Sequence, residues 1–351
     1  MQNASRHPAV TLLTELLAIS SPGGREQNMA AMIVRKVKAL DFAVEIDPAG
    51  NVVVRIGRPE KRKPLVMLAA HMDEIALVVT RIEPDGRLRV APSGRLLPHK
   101  IGERPLDIIG DGAPVTGVLT VGLSGHSGTP DRAITWDDCH ILTGLTPVEL
   151  AKAGVRPGST AVPSRAQRGP ILLGPPANPL LAAWTFDDRM GCVMLLRLLE
   201  TMRRQKITPP FPLIVAFTVH EEGGCYGAKV LAHRERPEVF IAVDGCPVTP
   251  EAPLVLDGRP GIWSKDKIGH YDQRLVRDLC RMAREAGTEL QPAVYKNAAS
   301  DASMVFEVGG APRIGFIGHV RENSHGFEVA RLAVFDNVLK TLLVFVRKWQ
   351  G

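Results

Sequence analysis

The sequence has few aromatic residues, which make up only 5% of its 351 positions. Its formal net charge is +6, yet its longest run of Lys and Arg is the three residues 61–63. A nucleic-acid groove needs clustered basic residues interleaved with stacking aromatics. The composition therefore argues against nucleic-acid binding, and the basic excess indicates a solvated surface.

Paired cysteines and long apolar runs are also missing. Five scattered cysteines form no C-x-x-C pair: Cys139, Cys192, Cys225, Cys246 and Cys280. Such an unpatterned odd set indicates free thiols in a reducing compartment. The N-terminal stretch has the pattern of an amphipathic helix, and no apolar run has the length of a membrane span. We therefore expect a cytoplasmic protein without a membrane partner.

The first and last parts of the chain alternate between strand and helix patterns. Residues 64–70 (PLVMLAA) and 212–219 (PLIVAFTV) are continuous apolar runs of strand length. Such runs are typical of central strands covered on both faces. Together with the helical segments between them, they predict an α/β fold with a mainly parallel central sheet and helices on both faces.

The middle of the chain has a different pattern. From residue 75 to residue 179, glycine, proline and short alternating segments dominate, and turn signals recur about every ten residues. This predicts a small β-barrel inserted into the α/β domain. We therefore divide the chain into residues 1–74 and 180–351, which form the α/β domain, and the insertion at residues 75–179.

Acidic residues and histidines follow several of the apolar strands. In open α/β sheets, sites form in the crevice beyond the carboxyl ends of the strands. Carboxylates that converge there repel one another unless a cation is bound, and mixed His and carboxylate ligands suit Zn²⁺, Co²⁺ or Mn²⁺. The pattern therefore predicts a metal site built from His71 and Asp73, Asp187 and Asp188, His220 to Glu222, and Asp244.

Each of these groups also has an ordinary explanation. An H-x-D pair can form a hydrogen-bonded turn, and two aspartates before a helix can cap it. Adjacent glutamates are usually a solvated pair, and a single aspartate often follows a strand. The groups share strand ends in one predicted sheet, however, and their joint placement favours the metal site.

The adjacent glutamates Glu221 and Glu222 can divide two tasks. A hydrolytic site with two metals needs ligands and also a base that is not committed to the metal. Because successive strand side chains point to opposite faces, both glutamates must lie in a turn to reach one place. Gly223 and Gly224 would supply that turn.

The ordered set of motifs resembles the M42 metallo-aminopeptidases, the group that contains the tetrahedral and glutamyl aminopeptidases. The resemblance covers nearly the whole chain, in the segments SSPGGRE, DPAGNVVVRIG, AAHMDEIALVV, GDGAPVTGVL, TFDDRMGC, HEEGGCYGA, VDG, ASDAS and SHGFE. It implies a zinc-peptidase-like catalytic domain and a dinuclear aminopeptidase that releases N-terminal residues from peptides.

The resemblance also implies roles for single residues. Two divalent ions (Zn, Co or Mn) would be bound in each subunit, with Asp187 between them. Glu221 would be the general base, and Asp73 would orient the imidazole of His71. The metal ligands would be His71, Asp187, Glu222, Asp244 and His325.

The resemblance further implies the partners. The substrates would be short peptides with a free N-terminus. The inserted domain would make dimer contacts, and dimers would assemble into a dodecamer.

Three departures from the family pattern leave other functions open. His220 replaces the usual glutamine and has no assigned role, Gly245–Cys246 follow Asp244 where Val and Thr are more usual, and Arg321 precedes His325 without an aromatic neighbour. One alternative is a carboxypeptidase or deacylase of the same dinuclear type, which would recognise a free carboxylate. Another is a non-catalytic oligomeric scaffold that retains the metal.

Overall fold

The computed structural model describes residues 7–58, 60–121 and 132–351. These residues form a large mixed sheet covered by helices, and a closed six-stranded barrel. The strands of the large sheet are β1 (Val44–Ile46), β2 (Val52–Ile56), β3 (Val66–His71), β10 (Ile171–Leu173), β11 (Leu180–Ala183), β12 (Leu213–Thr218), β13 (Val239–Pro247), β14 (Gly261–Lys265), β15 (Gln291–Val294), β16 (Arg313–Glu322) and β17 (Glu328–Arg331).

The centre of the large sheet is parallel. β12 pairs with β3, β3 with β13, and β13 with β16, all in parallel. Every residue of β3 and β12 is buried, as their apolar runs predict for central strands. The outer pairs β1–β2, β2–β12, β16–β17, β17–β11 and β11–β10 are antiparallel. The predicted α/β class with an inserted barrel is confirmed, and the antiparallel outer strands make the sheet mixed.

The helices of the described residues are α1 (Pro8–Leu17), α2 (Gln27–Ala39), α3 (Pro98–Ile101), α4 (Pro147–Lys152), α5 (Arg189–Arg204), α6 (Tyr226–Glu235), α7 (Gln273–Glu285), α8 (Asp301–Glu307) and α9 (Ala333–Lys348). Seven of them pack on the large sheet through apolar faces, and the short helices α3 and α4 contribute Ile101 and Leu150 to the barrel core. In α5, which contacts β3 and β13, Val193, Leu195 and Leu199 are all buried. Within the described ranges, none of these helices combines the length and apolar character that a membrane span requires.

The barrel has its own apolar core. Its strands, in spatial order, are β4 (Ala76–Ile82), β5 (Leu88–Ser93), β8 (His140–Leu142), β7 (Val115–Thr120), β6 (Arg104–Ile109) and β9 (Thr160–Pro163). Leu77, Leu106 and Ile141 are fully buried in a cluster separate from the core of the large sheet. Strand β10 lies inside residues 75–179, which are predicted as the insertion, but it pairs with the large sheet. The boundary at residue 179 stays a prediction.

A buried ion network joins the barrel to the sheet. Oε1 of Glu74, in the link between β3 and β4, lies 3.1 Å from Nη1 of Arg168 and 3.1 Å from Nη2 of Arg189. Arg168 follows the last barrel strand, and Arg189 begins α5. All three side chains are at most 2% exposed. The chain passes from the large sheet to the barrel near Glu74 and back near Arg168, and the network ties both passages to the end of β3.

Candidate metal centre

The parallel strands bring the predicted site residues to one edge of the sheet. His71 is the last residue of β3, the turn with Glu221 and Glu222 follows β12, and Asp244 lies in β13. His325 follows β16. Because carboxyl ends of parallel strands meet at the same edge, side chains from these four segments lie close together, although β13 continues past Asp244 to Pro247.

Asp187 lies between the two histidines. Its Oδ1 is 2.9 Å from Nε2 of His71, and its Oδ2 is 3.4 Å from Nε2 of His325. Its backbone N–H donates to Oε2 of Glu328 at 2.9 Å, which holds the turn before α5. The two oxygens of one buried carboxylate thus face different histidines, which is the arrangement that a bridging ligand requires.

Two groups of ligand atoms surround this carboxylate. In one, atoms of His71, Asp187 and Glu222 lie within 4.8 Å of one another, and in the other the same holds for His71, Asp188 and Asp244. Nε2 of His325 is 3.6 Å from Oε2 of Glu222. The structure therefore brings together all five metal ligands that the resemblance implies, and also Asp188, which the sequence pattern places at the site.

Asp188 has two roles at this position. Its Oδ1 accepts a hydrogen bond from the backbone N–H of Gly191 at 2.9 Å, which caps α5. Its Oδ2 accepts from the backbone N–H of His71 at 3.3 Å. The N-cap is the ordinary explanation that the sequence pattern suggests for this residue, and the second contact depends on the packing of α5 against β3.

Both histidines present Nε2 to the cluster. Nδ1 of His71 is 3.1 Å from the carbonyl of Asp73 and 3.4 Å from its Oδ1. Nδ1 of His325 is 3.1 Å from the carbonyl of Arg95. A histidine that donates from Nδ1 keeps an electron pair on Nε2, as metal-ligating histidines do.

Asp73 also holds the turn that carries the two glutamates. Its Oδ1 accepts from the backbone N–H of Glu221 at 2.9 Å, and its Oδ2 accepts from that of Glu222 at 3.0 Å. The turn closes with a hydrogen bond from Gly224 N–H to the carbonyl of Glu221 at 2.9 Å. Asp73 thus orients His71 and both glutamates at once.

The electrostatics of the cluster suit a cation. Burial, together with the charge of Asp187, raises the pKa values of Glu222 and Asp244 to about 7 each. Burial also raises the pKa of Glu221 well above its usual range, and the Glu222 carboxylate adds to this. Among the described residues, Oε1 of Glu222 is buried without a hydrogen-bond partner. A divalent ion would satisfy this oxygen and relieve the repulsion, so the donor set fits a metal.

Arg321 also belongs to the cluster. From the sequence, this residue is noted only as a departure from the family pattern. Its guanidinium is ion-paired with Asp187, lies 2.9 Å from Oε1 of Glu328 through Nε, and is 3.7 Å from Oδ1 of Asp244 through Nη1. A Cβ atom on Gly245 would lie 1.2 Å from Nη1 of Arg321. The two departures are therefore coupled, because the absent side chain at 245 makes room for the guanidinium.

The two histidines adjacent to site residues lie outside the ligand set. His319 is buried, its Nε2 is 3.4 Å from Nη1 of Arg321, and burial and Arg321 hold its pKa well below the usual range. The ring of His220 is 42% exposed, with Nδ1 3.9 Å from Oε1 of Glu26. A Cβ atom on Gly23 or Gly24 would lie 3.6 Å from the ring of His220, so the ring lies beside that loop.

A cleft of about 610 Å³ opens onto the cluster. Its lining includes Glu221, Asp244 and His325 of the cluster and the aromatic side chains of Trp263 and Tyr295. The cleft therefore gives access to the ligand cluster from outside the protein.

Comparison with known proteins identifies related chains. The family model of the M42 glutamyl aminopeptidases matches residues 50–340. A glutamyl aminopeptidase of Lactococcus lactis subsp. cremoris is 30% identical over 246 residues, which are 68% of this chain and 66% of that protein. A lysyl aminopeptidase of Pyrococcus furiosus is 32% identical over 235 residues, 64% of each chain. The aligned parts thus span about two thirds of the length of these relatives.

Solved structures with the same fold cover nearly the whole chain. An aminopeptidase of the archaeon Desulfurococcus kamchatkensis superposes with a TM-score of 0.85 at 25% identity, over 97% of this chain and 95% of that one. The TET1 peptidase of Pyrococcus horikoshii, which can assemble into a tetrahedron or a large octahedral shell, superposes with a TM-score of 0.85 at 24% identity, over 97% and 100%.

Proposed function

Because this chain belongs to the M42 glutamyl aminopeptidase family and is a peptide hydrolase of that family, we propose that it is a dinuclear metal-dependent aminopeptidase that releases N-terminal residues from peptides. The observation that carries the proposal is the position of Asp187. One of its carboxylate oxygens faces Nε2 of His71, and the other faces Nε2 of His325. One carboxylate between two histidines would provide the bridging ligand of a two-metal site.

The proposed ligands fall on the two sides of Asp187. His71 and Asp244 would hold one ion, and Glu222 and His325 the other. The mixed imidazole and carboxylate donors suit Zn²⁺, Co²⁺ or Mn²⁺. When bound, such ions polarise a peptide carbonyl and lower the pKa of water.

Glu221 is the proposed general base. Its Oε2 is 3.9 Å from Nε2 of His71, so it borders the ligand cluster without being one of the five proposed ligands. Its carboxylate would accept a proton from the attacking water and deliver it to the leaving amine. Asp73 is a positioning residue, because it holds the backbone of Glu221 and the ring of His71.

The experiment is hydrolysis of aminoacyl chromogenic substrates by the metal-loaded protein and by its Glu221→Gln variant. Loss of the base is expected to lower kcat by about 10²- to 10⁴-fold, with two metal ions per chain still bound. Glu251→Gln is the matched control, because Glu251 lines the same cleft but accepts its hydrogen bond from the backbone of Lys296. Full activity in Glu221→Gln would refute the assignment of the base.

A second substrate comparison separates the aminopeptidase from its hydrolytic alternatives. Acetylating the N-terminus of a peptide should abolish turnover, because an aminopeptidase requires the free amine. A carboxypeptidase or a deacylase would continue to cleave the blocked peptide.

We also propose that the chain self-associates and works in the cytoplasm. The relative from Pyrococcus horikoshii forms closed assemblies, and the barrel of this chain exposes apolar side chains such as Val118, Leu142 and Val148. All five cysteines are free, as is usual in a reducing compartment.

A further inference from the structure

A third group of metal-ligating atoms lies beside the proposed base. One ligand atom each from Glu221, Cys225 and Asp301 lies within 4.8 Å of the other two. Both Glu221 and Cys225 border the cleft, so a solvated ion can reach them. This group shares no residue with the two ligand clusters around Asp187.

The thiol of Cys225 points at the carboxylate of Glu221. Its Sγ is 3.4 Å from Oε1 of Glu221, and the residue is 4% exposed. Cys225 directly precedes α6 and has a φ of 58°. The left-handed backbone at this residue turns the chain into the helix and fixes where the thiol lies.

Asp301 completes the group with an unsatisfied oxygen. Asp301 is 3% exposed, and its Oδ2 accepts a hydrogen bond from Oγ1 of Thr218 at 2.6 Å. In the described part of the chain, its Oδ1 is buried without a hydrogen-bond partner. A carboxylate that is anchored through one oxygen therefore leaves the other available as a cation ligand beside the thiol and the Glu221 carboxylate.

We propose that Glu221, Cys225 and Asp301 form an inhibitory site for a thiophilic divalent cation of the Zn²⁺ class. This rests on the proposed function, because Glu221 is the base of that reaction. On binding, the thiol proton is released to solvent, a sulfur–metal bond forms, and one oxygen of each carboxylate becomes a ligand. A Glu221 oxygen that ligates this ion cannot accept a proton from the attacking water.

The geometry needs only small movements. Zinc–sulfur bonds of about 2.3 Å and zinc–oxygen bonds of about 2.0–2.2 Å place ligand atoms roughly 3.3–3.8 Å apart around a tetrahedral ion. The three atoms already lie within 4.8 Å of one another. Three protein ligands and one solvent molecule would complete the tetrahedron.

The thiolate makes this site selective. Soft thiolate ligands favour zinc-like ions, whereas Mn²⁺ prefers carboxylate and water ligands. Excess Zn²⁺ is therefore expected to inhibit the enzyme under conditions where excess Mn²⁺ does not.

The first test is a Cd²⁺ titration of the metal-loaded protein, followed by the ultraviolet cadmium–thiolate charge-transfer absorption. We expect the band in the unmodified protein, its loss in Cys225→Ser, and its retention in Cys280→Ser. Cys280 is the matched control, since it lies in α7 away from the cleft lining. A band that persists in Cys225→Ser, or that is missing from the unmodified protein, would overturn the proposal.

Asp301→Asn provides a second variant that preserves side-chain size. Its amide oxygen can still accept the bond from Thr218, so the fold should be retained while the charged ligand is lost. The Cd²⁺ dissociation constant is expected to rise at least about tenfold, with the thiolate band retained at saturation. An unchanged dissociation constant would remove Asp301 from the site.

The activity test uses excess Zn²⁺ and normalises each variant to its own activity at limiting metal. The Zn²⁺ concentration for half inhibition should rise at least about tenfold in Cys225→Ser and stay unchanged in Cys280→Ser. Equal inhibition of both variants would refute the inhibitory role. If the protein cleaves no peptide, the proposed function fails, while the Cd²⁺ band still decides whether the site exists.

Discussion

Arg321 is the residue whose position most changes the description of the centre. Its buried guanidinium contacts Asp187 and Glu328 and lies near Asp244, so it neutralises part of the negative charge that the ligand cluster concentrates. Only glycine at 245 leaves space for it. Removing one partner of a buried ion pair is costly because the other charge is left uncompensated.

This coupling predicts the effect of Gly245→Ala. The new methyl group would displace Arg321 from the carboxylates, and such overpacking typically destabilises a protein by about 1–3 kcal/mol. Gly223→Ala is the control, because a Cβ there meets nothing within 4 Å, and its change should stay within about 0.5 kcal/mol. Urea unfolding of the two metal-free variants measures both values, and equal stabilities would contradict the coupling.

The raised carboxyl pKa values predict a pH-dependent stability of the metal-free protein. In the folded state the pKa values of Glu222 and Asp244 are about 7, against roughly 4 in an unfolded chain. A carboxyl group whose pKa is higher in the folded than in the unfolded protein stabilises the fold fully at a pH below its unfolded pKa. This contribution is lost as the pH rises through the folded pKa. The pKa of His325 is raised to about 10, mainly by Glu222 and against the effect of burial. Its contribution to the stability of the fold is likewise lost as the pH rises above about 6.5.

The metal-free protein is therefore expected to melt at a lower temperature at pH 8 than at pH 5.5. Saturating Zn²⁺ or Mn²⁺ should raise the melting temperature more at pH 8, because the ion binds ionised carboxylates. Thermal melts with and without chelator test this, and the Glu222→Gln variant should show a smaller pH dependence. A metal-free protein that gains stability between pH 5.5 and pH 8 would contradict the account.

At the scale of elements, the turn between β12 and α6 presents the proposed base and one ligand. Its two ends are held by buried side chains from neighbouring segments. Asp73 accepts from the backbone of Glu221 and Glu222. Asn51 accepts from the backbone N–H of Val219 at 3.1 Å and donates to the carbonyl of Gly227 at 3.0 Å. The turn is thus held by its surroundings as well as by its own closing hydrogen bond.

Asp73→Asn tests this positioning. The amide has one acceptor oxygen in place of two, so Glu221 or Glu222 loses its backbone partner, and kcat is expected to fall about 10- to 100-fold with KM nearly unchanged. Asp266→Asn is the matched control, because Asp266 is also fully buried and accepts from the backbone N–H groups of Ile268 and Gly269. Equal losses of kcat in both variants would indicate a general structural effect instead.

At the scale of the whole molecule, the barrel is a separately packed unit attached by the network of Glu74, Arg168 and Arg189. Val118 and Leu142 are paired neighbours on β7 and β8, and they are 46% and 43% exposed. Adjacent exposed apolar side chains are a feature of surfaces that contact another chain. This supports the barrel as the place of self-association.

Replacing both residues with glutamate should weaken self-association without unfolding the barrel, since neither side chain belongs to its buried core. Ile46→Glu is the control, because Ile46 is 52% exposed on the edge strand β1 of the large sheet. Light scattering after size-exclusion chromatography should show a smaller assembly for the Val118→Glu/Leu142→Glu variant than for Ile46→Glu. The same mass for both would place the contact elsewhere.

The sequence alone determined the fold class and the identity of the family. Both depend on local patterns, because the apolar runs of β3 and β12 and the turn-rich barrel segments are encoded in consecutive residues. The candidate ligands were also accessible, since His71, the glutamate pair and Asp244 all mark strands whose carboxyl ends share an edge.

The tertiary structure decided which residues that are distant in the chain come into contact at the site. β13 continues past Asp244, and its pairing with β16 sets Pro247 opposite Arg321, which brings a guanidinium into the ligand cluster. The packing of α8 against α6 likewise brings Asp301 to Cys225 and Glu221. These contacts join residues far apart in the chain, and their register follows from sheet pairing and helix packing rather than from any one segment.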